Sequence, residues 1–243
     1  MNADPLGGRV NATSAPGSTS VLLVDFRRIA GVGGLAFGVA VPIANALLVL
    51  PAKPLGGASL SAIAAYYGEH GSSVRLFALV APFLWTAISV FAAGVVVSTR
   101  VGDRLNGWAL AGALGIATMI ATFCGVVTAD LVLATRADTL AANPEYTQLL
   151  WDYHMVLQIL NLTFVGVALG GFGMAAVTSR TAPRLGKVAA IGSGLLLVAA
   201  TQSIPGMTGA GPTLIALPGF AIWLLFVLSY SVIMIRMPAS SGA

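Results

Sequence analysis

The chain has 243 residues, of which 57% are apolar and only 8% are charged. A water-soluble domain of this length needs more charge to cover its surface, so the composition excludes that class and predicts an integral membrane protein. The net charge of +4 comes without any basic cluster interleaved with aromatic residues, so a nucleic-acid partner is excluded as well.

The first predicted element is a tail, followed by a run of membrane spans. Residues 1–25 are rich in Gly, Ser, Ala, Thr and Asn, and such a segment buries too little apolar surface to order, so we expect a disordered cytoplasmic tail. Apolar stretches of about 20 residues, the length that crosses the hydrocarbon as a helix, cover residues 29–50, 76–97, 108–134, 154–178, 188–204 and 214–235. Residues 26–236 are therefore predicted to form an all-α domain of six transmembrane helices, with a short cytoplasmic tail at 237–243.

The basic residues predict the orientation of these spans, because the cytoplasmic flanks of membrane helices carry an excess of Lys and Arg. One set of flanks holds Arg9, Arg27, Arg28, Arg100, Arg104, Arg180, Arg184, Lys187 and Arg236. The opposite set holds Lys53, Arg75 and Arg136, together with the acidic residues Glu69, Asp130, Asp138, Glu145 and Asp152. Both termini are therefore predicted to lie in the cytoplasm.

The two larger outer loops carry helical signals of their own. In the first, Leu60, Ile63 and Tyr67 recur at helical spacing, which predicts a short amphipathic helix that lies on the outer membrane surface. In the second, Asn143 followed by Pro144 is typical of an N-cap and a proline at the first helical position. The fourth helix is therefore predicted to begin near residue 144 and to end near residue 178.

Small residues recur four apart in three of the spans. The pairs are Gly34 and Gly38, Ala111 and Gly115, and Gly166 and Gly170. Such pairs let helix backbones approach closely. They predict close packing within the bundle, while contacts with other membrane subunits or with a second copy of the chain stay open.

The outer half of the fourth span carries the best candidate site. One helical face there holds Trp151, His154, Gln158 and Asn161. Such a polar stripe is expected to face the bundle interior or a wet cavity, since exposure to lipid is costly. The residues predicted to lie at the same level are Asp130, Asp152 and Gln202. We therefore predict an outward-facing polar pocket, while simple hydrogen bonding between helices stays open as the plainer explanation.

Metal and cofactor signals are weak in this sequence. His70, Asp130 and His154 are the best metal candidates, but they show no fixed ligand spacing. Cys124 is the single cysteine and lies in an apolar stretch, so it is interpreted as a small core residue. No metal, no cofactor and no catalytic residue is predicted.

Three functions remain compatible with this pattern. The first is a membrane protein that binds or passes a small solute through the outer polar pocket, with the lipid bilayer as its surroundings. The second is an accessory or scaffold subunit of a membrane complex. The third is a membrane enzyme that uses the outer His/Asp cluster, and it ranks last because the sequence holds no phosphate loop, nucleophile elbow or HExxH motif.

Two short motifs carry a family resemblance. They are Arg28-Ile29-Ala30-Gly31 at the opening of the first span and Ala182-Pro183-Arg184-Leu185 before the fifth. With the short helix before the second span, they make residues 26–236 resemble a family of six-span bacterial membrane proteins of unknown function. The resemblance implies a bacterial cell membrane and transfers no catalytic residue. The Ala/Gly/Val-rich, lysine-poor composition favours an actinobacterial source.

Overall fold

The computed structural model describes residues 18–49, 53–54, 57–203 and 213–238, and these residues are almost entirely helical. The elements are α1 (Ser18–Ala44), continued by a π-helical turn (Asn45–Val49), α2 (Leu60–Ser98), α3 (Gly107–Thr135), α4 (Ala137–Ala141), α5 (Pro144–Thr178), α6 (Pro183–Ser203) and α7 (Thr213–Arg236). Six of these helices, all but the short α4, are long and apolar enough to cross a membrane. The prediction of an all-α protein is therefore confirmed, and so is the prediction of six helices that are long and apolar enough to span a membrane.

The six long helices pack as three inner and three outer members. Helices α2, α5 and α7 contact one another at the centre of the bundle. Helix α3 packs between α2 and α5, α6 packs between α5 and α7, and α1 packs between α7 and α2. Successive long helices thus alternate between an outer and an inner position along the chain.

Aromatic side chains fill the centre of the bundle. The inner helices contribute the fully buried residues Phe91, Phe172, Phe226 and Tyr230. The rings of Phe91 and Phe172 meet edge to face, with centroids 6.2 Å apart, a favoured aromatic geometry. Large apolar side chains such as Phe83 are instead exposed on the outside, as expected where lipid is the solvent.

The predicted small-residue pairs lie mostly at contacts inside the bundle. A Cβ atom built on Gly115 would lie 2.7 Å from the backbone nitrogen of Ala168 in α5, so α3 and α5 approach closely there. The other glycines of these pairs also face side chains of neighbouring helices: Gly34 faces Phe91, Gly38 faces Leu228, Gly166 faces Leu197 and Gly170 faces Ser193. Ala111 is half-buried. Close packing of the helices therefore uses small residues, as membrane bundles commonly do.

Two predicted boundaries need correction. Helix α1 begins at Ser18, inside the segment predicted as a disordered tail, and residues 1–17 lie outside the described residues. Residues 60–67 are helical but form the first turns of α2, not a separate helix on the membrane surface. The reason is that Ile63, Tyr66 and Tyr67 are buried against other helices, so protein covers the apolar face that was expected to meet lipid.

Helix α5 runs from Pro144 to Thr178, as the sequence predicted. Asn143 holds the N-cap position, but its side chain donates to the carbonyl of Thr139 at 2.7 Å and does not cap the helix. At the start of α3, Asn106 does cap, because its Oδ1 accepts from the backbone N–H of Trp108 at 3.1 Å. Residues 205–212, a stretch rich in Gly and Pro and without charge, lie outside the described residues.

The charged residues divide between the two ends of the bundle. The first, called here the arginine end, holds the α2–α3 and α5–α6 turns, where the hydroxyl of Tyr230 lies 3.2 Å from Oγ of Ser98 and 3.0 Å from Oγ1 of Thr181. Its basic residues are Arg27, Arg28, Arg100, Arg104, Arg180, Arg184, Lys187 and Arg236. The opposite end, called the aspartate end, holds Lys53, Arg75, Arg136, Glu69, Asp130, Asp138, Glu145 and Asp152. Arg9 lies outside the described residues.

Helices α2 and α5 are longer than a membrane crossing needs. Helix α2 has 39 residues, which corresponds to about 58 Å at ~1.5 Å per residue, whereas the hydrocarbon is about 30 Å thick. Around the excess length, α2, α3, α4 and α5 bury a second apolar cluster at the aspartate end, formed by Ile63, Tyr66, Tyr67, Val74, Leu133, Ala134, Leu140 and Trp151. This cluster surrounds the group of polar residues described next.

Candidate functional site

Asp130 is the centre of a polar cluster at the aspartate end. Its carboxylate is largely buried, and Nζ of Lys53 donates to Oδ2 at 3.1 Å. The other carboxylate oxygen, Oδ1, accepts from the hydroxyl of Tyr67 and lies 2.9 Å from Nδ1 of His154. We call these four residues the Asp130 cluster. Since a buried carboxylate is costly unless it is paired and hydrogen-bonded, the three partners explain how this one is tolerated.

Helices position three of the four members. Asp130 lies near the end of α3, Tyr67 near the start of α2 and His154 near the start of α5, whereas Lys53 lies between α1 and α2 in a segment without regular secondary structure. Asp130 is 23 residues from the start of α3, or about 35 Å at ~1.5 Å per residue. This distance slightly exceeds the thickness of a hydrocarbon layer, about 30 Å, so a layer that begins at the start of α3 would end near the cluster.

His154 is held mainly by ring stacking. Its imidazole is 2% exposed and stacks on the indole of Trp151, with centroids 5.0 Å apart and ring planes 3° apart. Nδ1 is close enough to Asp130 for an ion pair, but it makes no well-directed hydrogen bond there. The backbone of Val126 is another close neighbour of the imidazole. The imidazole of His154 therefore has little freedom to rotate, and it lies close to the carboxylate of Asp130 without a directed hydrogen bond to it.

Aromatic rings line the cluster on the α2 and α5 sides. The ring of Tyr67 meets Tyr66 edge to face at 5.1 Å and Trp151 at 6.5 Å, and Tyr66 stacks on His70 at 4.8 Å. Such rings bury a large area with few rotatable bonds. The carboxylate of Asp130 thus lies beside a group of aromatic side chains that pack against one another.

A small cavity adjoins the ion pair between Lys53 and Asp130. Its empty volume of about 260 Å³ includes its opening to solvent, and the enclosed part has room for about one water molecule. The residues that line it are Leu48, Lys53, Tyr66, Val74, Phe77, Val127 and Asp130. The cavity is therefore apolar on most sides, with one carboxylate and one ammonium group at its edge.

The structure brings together only part of the predicted pocket. Asp130 and His154 are in contact, in agreement with the prediction that they lie at the same level. Asn161 is buried deeper in the bundle, where its side-chain amide donates to the carbonyl of Met119 at 3.0 Å. The remaining predicted pocket residues are exposed and lie outside the Asp130 cluster: Asp152, Gln158 and Gln202. Asp152 instead accepts from the side-chain amide of Gln148 at 2.7 Å.

Lys53 and Tyr67 are two members of the Asp130 cluster that were not predicted from the sequence. Lys53 counted only as a flanking charge, and Tyr67 only as part of a surface helix. A signal was present in the composition, because Lys53 is the single lysine on its side of the membrane and stands within a long uncharged segment. A lone cation in such a segment is a candidate partner for a carboxylate near the membrane edge.

The arrangement does not favour a metal ion. Among the residues that the structure describes, no group of three or more His, Cys, Asp or Glu side chains could hold one. His70, one of the predicted weak candidates, is half-buried with Nδ1 3.2 Å from the carbonyl of Tyr66. The position next to Oδ2 of Asp130 is taken by the ammonium group of Lys53.

Comparison with known proteins yields no relative for this chain. No family, no curated protein and no solved structure matches it. The resemblance to a six-span bacterial family therefore stays a prediction, and function has to be argued from the Asp130 cluster itself.

Proposed function

We propose that the chain is a multi-pass protein of a bacterial plasma membrane that binds a small solute at the Asp130 cavity. Both termini lie in the cytoplasm in this proposal, because the arginine end then takes the side that membrane proteins enrich in Lys and Arg. The aspartate end faces outward, so the solute arrives from outside the cell. The second apolar cluster stands above the membrane surface around the cavity.

The observation that carries the proposal is a largely buried carboxylate beside an open cavity. A carboxylate that serves only to join helices can be packed on all sides, but Asp130 borders the cavity together with its ion-pair partner Lys53. Ionisable groups near the membrane interior are costly, and function is their usual reason for being there. Apolar walls with a few convergent polar groups are also what small-molecule sites generally present.

Binding is better supported than passage across the membrane. Beyond the Asp130 cluster, toward the arginine end, the centre of the bundle is filled by Phe91, Phe172, Phe226 and Tyr230. A solute that entered the cavity would meet this packed layer, and densely packed interiors do not open without rearrangement. The cavity therefore suits a binding or sensing protein that responds to a solute on one side.

The scaffold and enzyme hypotheses receive less support. Small residues such as Gly115 face neighbours within the same chain, so they do not by themselves indicate a partner subunit. An enzyme of the His/Asp type needs a nucleophile or an activated water beside its base, and the described neighbours of His154 are Trp151, Asp130 and Val126. Solute binding uses the features that the site does show.

The test is a solute panel measured by thermal unfolding of the purified protein in detergent or nanodiscs. A compound present at about 100 times its dissociation constant stabilises the folded state by ~2.7 kcal/mol, which shifts the unfolding midpoint measurably. We expect at least one compound to stabilise the natural chain and the Asp152→Asn control, and Asp130→Asn to abolish the shift. Asp152 is a suitable control because it is an exposed carboxylate at the same end of the bundle.

Two results would count against the proposal. The first is a broad panel that leaves the unfolding midpoint of the natural chain unchanged. The second is a stabilising compound that acts equally on Asp130→Asn, provided that this variant keeps its helix content and elutes like the natural chain. Tyr67→Phe supplies a second variant that keeps the carboxylate and removes one of its donors, so we expect weakened binding there.

A further inference from the structure

We infer that the solute is a small primary alkylammonium ion that replaces the side chain of Lys53 at Asp130. This inference rests on the proposed function and names the chemical class of the solute. Lys53 is in effect a butylammonium ion attached to the chain, and its ammonium group donates to Oδ2 of Asp130 at 3.1 Å beside the apolar cavity. A free amine of similar length presents the same charge, donors and methylene groups.

The two oxygens of Asp130 have separate partners. Oδ1 accepts from Tyr67 and lies beside His154, and both of these residues belong to long helices. Oδ2 accepts from Lys53, which belongs to no helix or strand. Removing Lys53 therefore frees one oxygen while the other stays held. The carboxylate remains oriented, so a replacement cation meets a preformed acceptor.

Charge balance selects the class of solute. A buried ion pair that loses one partner leaves an uncompensated charge, which is strongly destabilising. An alkylammonium ion that displaces Lys53 keeps Asp130 paired, whereas a neutral solute leaves it unpaired and an anion is repelled. A multivalent metal ion is disfavoured because the described residues offer no group of three ligands there.

The walls of the cavity fit an alkyl chain attached to a cation. Val74, Phe77 and Val127 offer apolar surface for methylene groups, and two of the lining residues, Tyr66 and Phe77, are aromatic, a residue type that attracts ammonium groups. The enclosed space holds about one water molecule while Lys53 is in place. Departure of its side chain releases the volume of four methylene groups, so a chain of about four carbons matches the space.

Lys53 should also weaken binding, because it competes from within the molecule. A binding site that is vacant for only a fraction of the time lowers the apparent affinity by that fraction. Removing the competitor should therefore tighten alkylammonium binding, and we expect the dissociation constant to fall by at least about tenfold. A purely structural ion pair predicts the opposite, since its loss would only damage the site.

The experiment measures n-butylammonium chloride binding to the full chain in nanodiscs, by calorimetry and by thermal unfolding. Lys53→Ala removes the internal ammonium and its methylenes, and Lys53→Met removes the charge but refills the space. We expect Lys53→Ala to bind n-butylammonium at least about tenfold more tightly than the natural chain does. Lys53→Met should bind it more weakly than Lys53→Ala does, because the methionine side chain fills the space. Lys53→Gln is a third neutral variant, in case Lys53→Ala does not fold, and it should also bind n-butylammonium more tightly than the natural chain does.

The neutral probe n-butanol has the same chain length as n-butylammonium and should not bind Lys53→Ala. The double variant that combines Lys53→Ala with Asp130→Asn should not bind n-butylammonium. Equal affinity of n-butylammonium for the natural chain, Lys53→Ala and Lys53→Gln would overturn the inference. So would binding of n-butanol to Lys53→Ala with the same affinity as n-butylammonium. If another solute stabilises the natural chain through Asp130 while n-butylammonium does not bind Lys53→Ala, the inference fails and the proposed function stands. If Asp130→Asn keeps every response, both fail.

Discussion

Replacement of Gly115 by alanine tests the closest helix contact in the bundle. The new Cβ atom would lie 2.7 Å from the backbone nitrogen and 2.9 Å from the Cα atom of Ala168. Optimal contacts between such atoms are about 3.5–4.0 Å. A backbone neighbour cannot rotate away, so α3 and α5 would have to separate by roughly 1 Å, the difference between these distances.

The separation has a predictable cost. Overpacking of this kind costs about 1–3 kcal/mol, and alanine returns up to ~1 kcal/mol through its higher helix propensity. With the full propensity gain subtracted, we expect Gly115→Ala to destabilise the protein by up to about 2 kcal/mol. Gly194 in α6 is a matched control, because a Cβ atom there has no neighbour within 4 Å. Gly194→Ala should be neutral or stabilising by up to ~1 kcal/mol.

The assay is unfolding of both variants in mixed detergent micelles by titration with sodium dodecyl sulfate, followed by circular dichroism. The difference in sign between the two alanine variants is the informative result, since the chemical change is the same. If Gly115→Ala is as stable as Gly194→Ala, the close approach of α3 and α5 is wrong.

Three further substitutions test the polar contacts of the fold by the same assay. Asn106→Ala removes the side chain that caps α3 at Trp108 and should destabilise by about 1–2 kcal/mol. Asn143→Ala should stay within ~0.5 kcal/mol of the natural chain, because that side chain makes no capping bond; a larger loss than for Asn106→Ala would contradict the assignment. Asn161→Leu breaks the bond to the carbonyl of Met119 and should cost roughly 1 kcal/mol, so an unchanged midpoint would argue against that contact.

The spans were predictable because hydropathy and helix length are properties of contiguous residues. The start of α5 at Pro144 could also be read from the chain, since an Asn-Pro pair restricts the local backbone directly. The first turns of α2 could not be assigned correctly. Their apolar face looks the same whether lipid or protein covers it, and only the packing of Tyr67 against α3 and α5 decides between the two.

The candidate site was predictable only as far as depth along the helices allowed. Counting residues along α3 and α5 placed Asp130 and His154 at one level, and they are in contact. Lys53 and Tyr67 are 77 and 63 residues away from Asp130 along the chain. Such pairings depend on how the helices are arranged around one another, which a single sequence does not specify. Gln158 shows the converse error, because it was predicted from a helical face shared with His154, yet it is exposed and lies outside the cluster.

We propose that the Asp130 cavity opens to the outside of the cell and attracts cations. The most direct measurement labels Lys53→Cys, in a Cys124→Ala background, with a membrane-impermeant cationic methanethiosulfonate on intact cells. Arg104→Cys reports on the arginine end in the same assay. We expect Lys53→Cys to react from outside, and more slowly when Asp130→Asn removes the attracting carboxylate, whereas Arg104→Cys should react only after permeabilisation. Labelling of Arg104→Cys alone in intact cells would contradict the proposed orientation. A labelling rate at Lys53→Cys that is independent of Asp130 would contradict the attraction of cations by its carboxylate.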